Sequence, residues 1–245
     1  MTLATGRSGR KQTNNMLNVP IHISLIFGLT TLLAVFGFYK AANHSKPTLL
    51  VLLAWLVLQA LVAASGFYTK TDVLPPRCVW LFWPPMILLL ALFWFAEGKS
   101  YLDHLDLGIL TILHGLRILT ALTFYWLFIH KAVPELLTFR GRNFDFLAGL
   151  TSPAIYYFGF VKKAIDSRIL WLWNLVCLGL LVNLVVNAIL SGPFPFQQFA
   201  FDQPDIAFLY FPFVWMSCCV VPILLLAHLA SLRQLLVGKT NDQNL

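Results

Sequence analysis

Arg117 lies inside a long apolar stretch, with no other Lys, Arg, Asp or Glu between Asp106 and Lys131. An ionised group at the centre of a bilayer costs at least about 2.5 kcal/mol, so such a residue is expected to face the interior of a helix bundle and to find partners there. His114, three residues earlier, shares its helix face. An Arg–His pair of this kind could grip a carboxylate or phosphate head group, or relay a proton. A purely structural reading stands beside it, in which backbone carbonyls or Asn side chains of a neighbouring helix lock Arg117 in place.

Asn183 and Asn187 are four apart, so both amides project from one face of a helix, with Asn174 about half a turn of the wheel away. They could line the same cavity as Arg117. Interhelical amide hydrogen bonds are also ordinary glue in membrane bundles, worth about 1 kcal/mol, and that reading carries more weight. The connection over residues 191–206 is the most unusual passage: Pro193 and Pro195 interrupt any regular helix, while Phe194, Phe196, Phe199 and Phe201 would be badly exposed in water. It is expected to fold back as a cap, either as a lid with Asp202 or Gln203 reaching inward or as an interfacial plug. Residues 133–145 mix apolar anchors with Glu135, Arg140, Arg142 and Asp145, a pattern that suits an interfacial turn with local ion pairs.

The remaining chemistry-bearing residues narrow the field by what they do not form. Six His are scattered without an H-x-x-x-H pair, with His22 and His130 near one membrane face and His44, His104 and His228 near the other, so no haem or metal is expected. The four Cys make no C-x-x-C pair, and three lie within apolar runs where a thiol behaves as a small hydrophobe. A retinal Schiff base would need a Lys inside the last apolar run, and none precedes Lys239. No cofactor is called for. The candidate ligand-binding residues are therefore Arg117, His114, Asn183, Asn187, Asp202 and Gln203, with no catalytic residue assigned.

The elements that must position these groups are transmembrane helices. Of 245 residues, 59% are hydrophobic and only 11% charged, and the mean hydropathy is +0.77, against about a quarter charged in soluble domains. Crossing the hydrocarbon core takes about 20 apolar residues. Seven such runs are bounded by charge or turn chemistry: residues 19–39, 47–68, 78–96, 105–129, 144–161, 169–190 and 207–236. The third holds Pro84-Pro85, and the fifth is shortest, with Gly149, Ser152 and Pro153, so it is kinked or partly re-entrant. The expected fold is all-α: a basic tail over 1–17, one polytopic domain over 18–236 and a short C-terminal tail over 237–245. The first run lacks a small-residue cleavage site and reads as a membrane helix rather than a signal peptide.

A net charge of +7 would suggest nucleic acid in a soluble protein, but the basic residues are spread through short loops, so no nucleic-acid partner is expected. Of 17 Lys and Arg, Arg117 is intramembrane and the other sixteen divide eight and eight between the two sides. The positive-inside rule is therefore silent. The connection over 191–206 has no Lys or Arg and carries Asp202 and Asp205, which favours an outside N-terminus and an inside C-terminus.

At Leu113-His-Gly-Leu-Arg, Val133-Pro-Glu-Leu-Leu-Thr-Phe-Arg-Gly-Arg-Asn-Phe-Asp, Gln198-Phe-Ala-Phe-Asp-Gln-Pro-Asp, Phe211-Pro-Phe-Val-Trp and His228-Leu-Ala-Ser-Leu-Arg-Gln-Leu-Leu, the chain resembles a group of uncharacterised bacterial membrane proteins. The likeness covers most of the chain. It implies a bacterial inner-membrane location and lends no catalytic residue.

Three functions follow as expectations. The first is a binding or transport protein with an intramembrane polar site for a small anionic or amphipathic ligand, anchored by Arg117 and His114. The second is an intramembrane enzyme acting on a lipid or quinone-like substrate, with His114 or His228 as acid or base; no nucleophile or paired carboxylates support it. The third is a structural or sensory subunit. Membrane lipids are the expected partners, and a homo-oligomer is compatible with all three.

Overall fold

The computed structural model describes residues 19–71 and 73–242, with side chains described up to residue 238. The tail expected over 1–17 lies outside the described residues. Among those described, every regular element is a helix.

Five helical spans are long and apolar enough to cross a membrane: Ile21–Ala41 (α1), Lys46–Ala64 (α2), Leu107–Ile129, Ser167–Ser191 (α8) and Met216–Gly238. The third of these is two helices, α5 (Leu107–Leu113) and α6 (Leu116–Ile129), joined at Gly115. The last comprises a π-turn, Met216–Val220, and α9, which runs from Val221 to Asp242 and so continues beyond the end expected at residue 236. A bent pair, α3 (Val79–Trp94) and α4 (Ala96–Asp103), meets at 92° and brings the number to six if it is one span. The shorter apolar helix Phe146–Val161 contains α7 (Phe146–Tyr156) and a closing π-turn. The segment 207–213, expected to open the last span, instead forms a 3-10 turn at Ala207–Leu209 and a further turn around Pro212, and helix begins at Val214.

Proline and glycine explain where these helices bend. Pro222 has no N–H for the carbonyl of Cys218, and the indole Nε1 of Trp55 on α2 donates to that oxygen at 2.9 Å. Pro153 leaves the Gly149 carbonyl without its usual donor, and the Ser152 hydroxyl donates there at 3.1 Å. In hydrocarbon a freed carbonyl has no water to turn to, so these side chains supply what the bilayer cannot. At the 92° bend, a Cβ on Gly98 would stand 2.5 Å from the Cα and carbonyl oxygen of Leu92, and only glycine fits.

Cross-links fix the two ends of the bundle. At one end the α1–α2 turn meets the α4–α5 turn through Asn43 Nδ2 donating to His104 O at 2.7 Å and Asp106 N to Ala41 O at 2.9 Å. Arg233 of α9 joins the same end with a bidentate pair to Asp103, at 2.9 and 2.8 Å. At the other end, Ile206 N and Ala207 N both donate to Ala132 O at 3.1 Å. The outward faces are those of a lipid-bathed protein: Leu25, Leu50, Leu61 and Ile87 are all exposed.

Candidate functional site

Arg117 is 1% exposed, with His114 and His228 at 0%. Its Nη1 donates to Asp145 Oδ1 at 2.6 Å, a buried ion pair, and lies 3.5 Å from the Cys177 carbonyl. Its Nη2 meets His228 Nε2 at 2.8 Å. The other ring nitrogen, His228 Nδ1, lies 2.9 Å from Asn174 Oδ1, and Asn174 Nδ2 donates to Leu170 O at 2.9 Å. That last bond fixes the amide orientation, so Asn174 presents an acceptor and His228 Nδ1 must carry the proton. His228 Nε2 is then the lone pair that Arg117 needs, and the imidazole is neutral. Arg117, Asp145, Asn174 and His228 come from α6, the start of α7, α8 and α9, so one network ties four elements together.

His114 stacks on His228 with centroids 3.9 Å apart and planes inclined by 13°, and Trp173 closes it edge-on at 5.7 Å. Both His114 nitrogens and Arg117 Nε are buried without a hydrogen-bond partner. Close to this layer α7 rests directly on α6. A Cβ on Gly149 would lie 3.0 Å from Ile118 Cγ1 and 3.2 Å from Arg117 Cβ, so glycine at 149 lets Asp145 approach the guanidinium.

The structure sorts the residues expected from sequence. Arg117 and His114 lie in the same buried cluster. Asn183 and Asn187 do not join them: Asn183 Nδ2 donates to Arg142 O at 2.9 Å, and Asn187 Nδ2 donates back to Asn183 O at 2.8 Å. The amide that does reach the cluster is Asn174, placed off-face by the helical wheel. Asp202 is exposed, and Gln203 Nε2 stitches its loop to Phe128 O and Val133 O at 3.1 and 2.6 Å. Asp145 forms no interfacial ion pair with Arg140 or Arg142 but turns inward; Arg140 pairs with Glu135 instead. His228 is not at a membrane face. An ionisable residue within an apolar run was the available signal for His228; nothing in the spacing pointed to Asp145 or Asn174.

A cavity of about 370 Å³ lies between α3, α6, α8 and α9. Counting along three helices, it begins six to seven residues beyond the polar cluster: Arg117 to Thr123, Cys177 to Leu184, and His228 back to Val221. That is about 10 Å at 1.5 Å per residue. Its walls are apolar, with Phe82, Trp83 and Met86 on α3 facing Leu184 and Ala188 on α8. The 191–206 connection forms the roof, contributing Phe194, Phe196 and Asp205. Asp205 is the one acidic or basic side chain among the described lining residues. It is 3% exposed, and its Oδ1 has no partner. Burial pushes its carboxyl up to about 8, against a smaller opposing pull from the backbone N–H groups of Ala207 and Phe208.

The fold and this internal architecture define an all-α membrane protein with a buried polar cluster and, separate from it, an apolar chamber. Residues 75–236 match a family described as a domain of unknown function, DUF8737, and the chain belongs to that family. The match covers the chamber's α3, α6 and α8 and the intramembrane cluster, while α1, which adds Phe27 to the chamber wall, precedes it. Neither a curated protein nor a solved structure matches the chain.

Proposed function

We propose that this protein binds a small amphipathic molecule inside the membrane. The observation that carries this reading is the chamber of about 370 Å³, apolar on every wall and touched by one carboxyl group. Its size falls within the range of about 300–1,000 Å³ usual for ligand sites. Of the two ligand chemistries expected from sequence, the amphipathic one is favoured over the anionic, because the charge of Arg117 is already met by Asp145. In this reading the Arg117 cluster holds the helices together about 10 Å from the chamber, and the 191–206 connection is the chamber's roof. Binding is favoured over catalysis because His114 and His228, the candidate acid–base residues, do not line the chamber.

The same proposal takes Phe146–Val161 as a seventh crossing beside the five long spans and the bent pair, with the N-terminus outside and the C-terminus inside a bacterial inner membrane. Gly108 of α5 packs near Tyr156 and Phe160, which supports α7 reaching the end of the bundle where α5 begins.

Native mass spectrometry of protein extracted with its surrounding lipid tests the binding reading. A defined molecule should remain on the wild type and be lost from Ala188→Trp, which fills the chamber. An identical adduct on both, or none on either, would reject it.

A further inference from the structure

Asp205, which lines the roof of the chamber, and the neighbouring Ser191 each carry a buried polar atom without a partner, Asp205 Oδ1 and Ser191 Oγ. Ser191 closes α8 and lies beside Asp205, whose N donates to Ser191 O at 2.9 Å. A buried acceptor left without a donor is destabilising, so an orphan carboxyl oxygen on a chamber-lining residue marks a place where a donor is expected. The backbone around Asp205 is held firmly, with Ile206 N and Ala207 N on Ala132 O and the Gln203 amide on Phe128 O and Val133 O. The carboxyl therefore cannot relax into water without dismantling the roof.

The rest of the lining limits what the donor can be attached to. Thr123 already donates its hydroxyl to Leu119 O at 2.9 Å, so the walls below Asp205 offer almost only hydrocarbon and aromatic contact. The head of the ligand must sit at Asp205 and its body must be apolar. A carboxylate or phosphate head would have to give up its hydration in a chamber whose described lining offers no cation to pair with it. A permanently charged ammonium would have to leave water for a chamber with a single acidic group, and that desolvation opposes its binding. A hydroxyl group donates one hydrogen bond and accepts another, and so satisfies the carboxyl in either protonation state.

Resting on the binding reading above, we propose that the ligand is a neutral, hydroxyl-headed lipid, its alcohol hydrogen-bonded to Asp205 and its chain lying between α3 and α8. The side walls fit supply from the bilayer. Trp83 and Phe196, both lining residues, are 56% and 41% exposed, so the chamber is flanked by side chains that also meet lipid.

The test uses the full chain in phosphatidylcholine nanodiscs free of single-chain detergent, with dodecanol, dodecylamine and dodecanoate as competing probes against a spin-labelled long-chain alcohol. Dodecanol should displace the label most strongly, and Asp205→Leu should weaken it roughly tenfold, the size of one buried hydrogen bond. Asp205→Asn, which still donates and accepts, should stay within a few-fold of wild type, and it separates loss of the contact from loss of the fold. Preference for the amine or the carboxylate, or equal binding of all three heads, would overturn the hydroxyl assignment while leaving the chamber occupied. Failure of every probe to compete saturably in a folded wild type would overturn the binding reading itself.

Discussion

At the residue scale, the central fact is that a buried arginine meets its counter-charge from a loop. Removing one member of a buried pair strands the other, at a cost of about 3–5 kcal/mol, whereas replacing both with apolar groups of similar volume is often nearly neutral. Asp145→Asn and Arg117→Met should each lower the thermal unfolding temperature markedly. The double variant Arg117→Met/Asp145→Leu should recover most of the loss, and a double variant as damaged as the singles would contradict a simple ion-pair role. Asp205 behaves differently. Its carboxyl titrates near 8 in the folded protein against an ordinary 3.8, so the folded state holds a proton that the unfolded chain releases between those values. Stability therefore falls as pH rises through that window and levels off above it. Thermal midpoints of the wild type should decline from about pH 5 to about pH 9, and those of Asp205→Asn should decline less. Arg117 was legible in the sequence because a lone charge in an apolar run has few explanations. Asp145 was not, because in sequence it is one of several charges in a polar turn, and only the close approach of α7 at Gly149 turns it inward.

At the element scale, the helices are held by repairs to their own breaks. Trp55 on α2 supplies the donor that Pro222 withholds from Cys218 O, so Trp55→Phe should keep the packing volume but orphan a carbonyl, costing about 1–3 kcal/mol. Glycines separate into two kinds. Gly149→Ala should force α7 away from α6, because its Cβ would press on Ile118 backbone as well as side chain, and overpacking of this type costs about 1–3 kcal/mol. Gly179→Ala meets nothing within 4 Å and should leave stability unchanged or raised by up to about 1 kcal/mol through helix propensity. Equal melting temperatures for the two alanine variants would contradict the close α6–α7 contact. The apolar runs made the five long helices readable, and they also marked the bent pair at the third run and the shorter apolar helix at the fifth. The late start of the last span was not readable, since residues 207–213 are as apolar as the helix that follows, and composition alone does not reveal a turn.

At the scale of the whole molecule, the chain is a bundle with a sealed polar layer, an apolar chamber above it and a looped roof. Single cysteines introduced at Asn43, His104 and Lys162 into a chain lacking its four native thiols should label from one side of the membrane, and those at Lys131 and Asp202 from the other. Labelling of Lys162 together with Lys131 would show that α7 turns back without crossing. Membrane insertion and the all-α class followed from composition and run length. The chamber did not, because its walls are drawn from five helices and its one acidic side chain from a loop, and such convergence leaves no periodic mark on a sequence. The most direct test of the account is photo-crosslinking in vesicles with a long-chain alcohol carrying a diazirine on its tail. Adducts should map to chamber residues such as Phe82, Met86 and Met216 and disappear in Ala188→Trp; adducts confined to outward residues such as Leu25, Leu50 and Ile87 would show that the chamber takes no lipid.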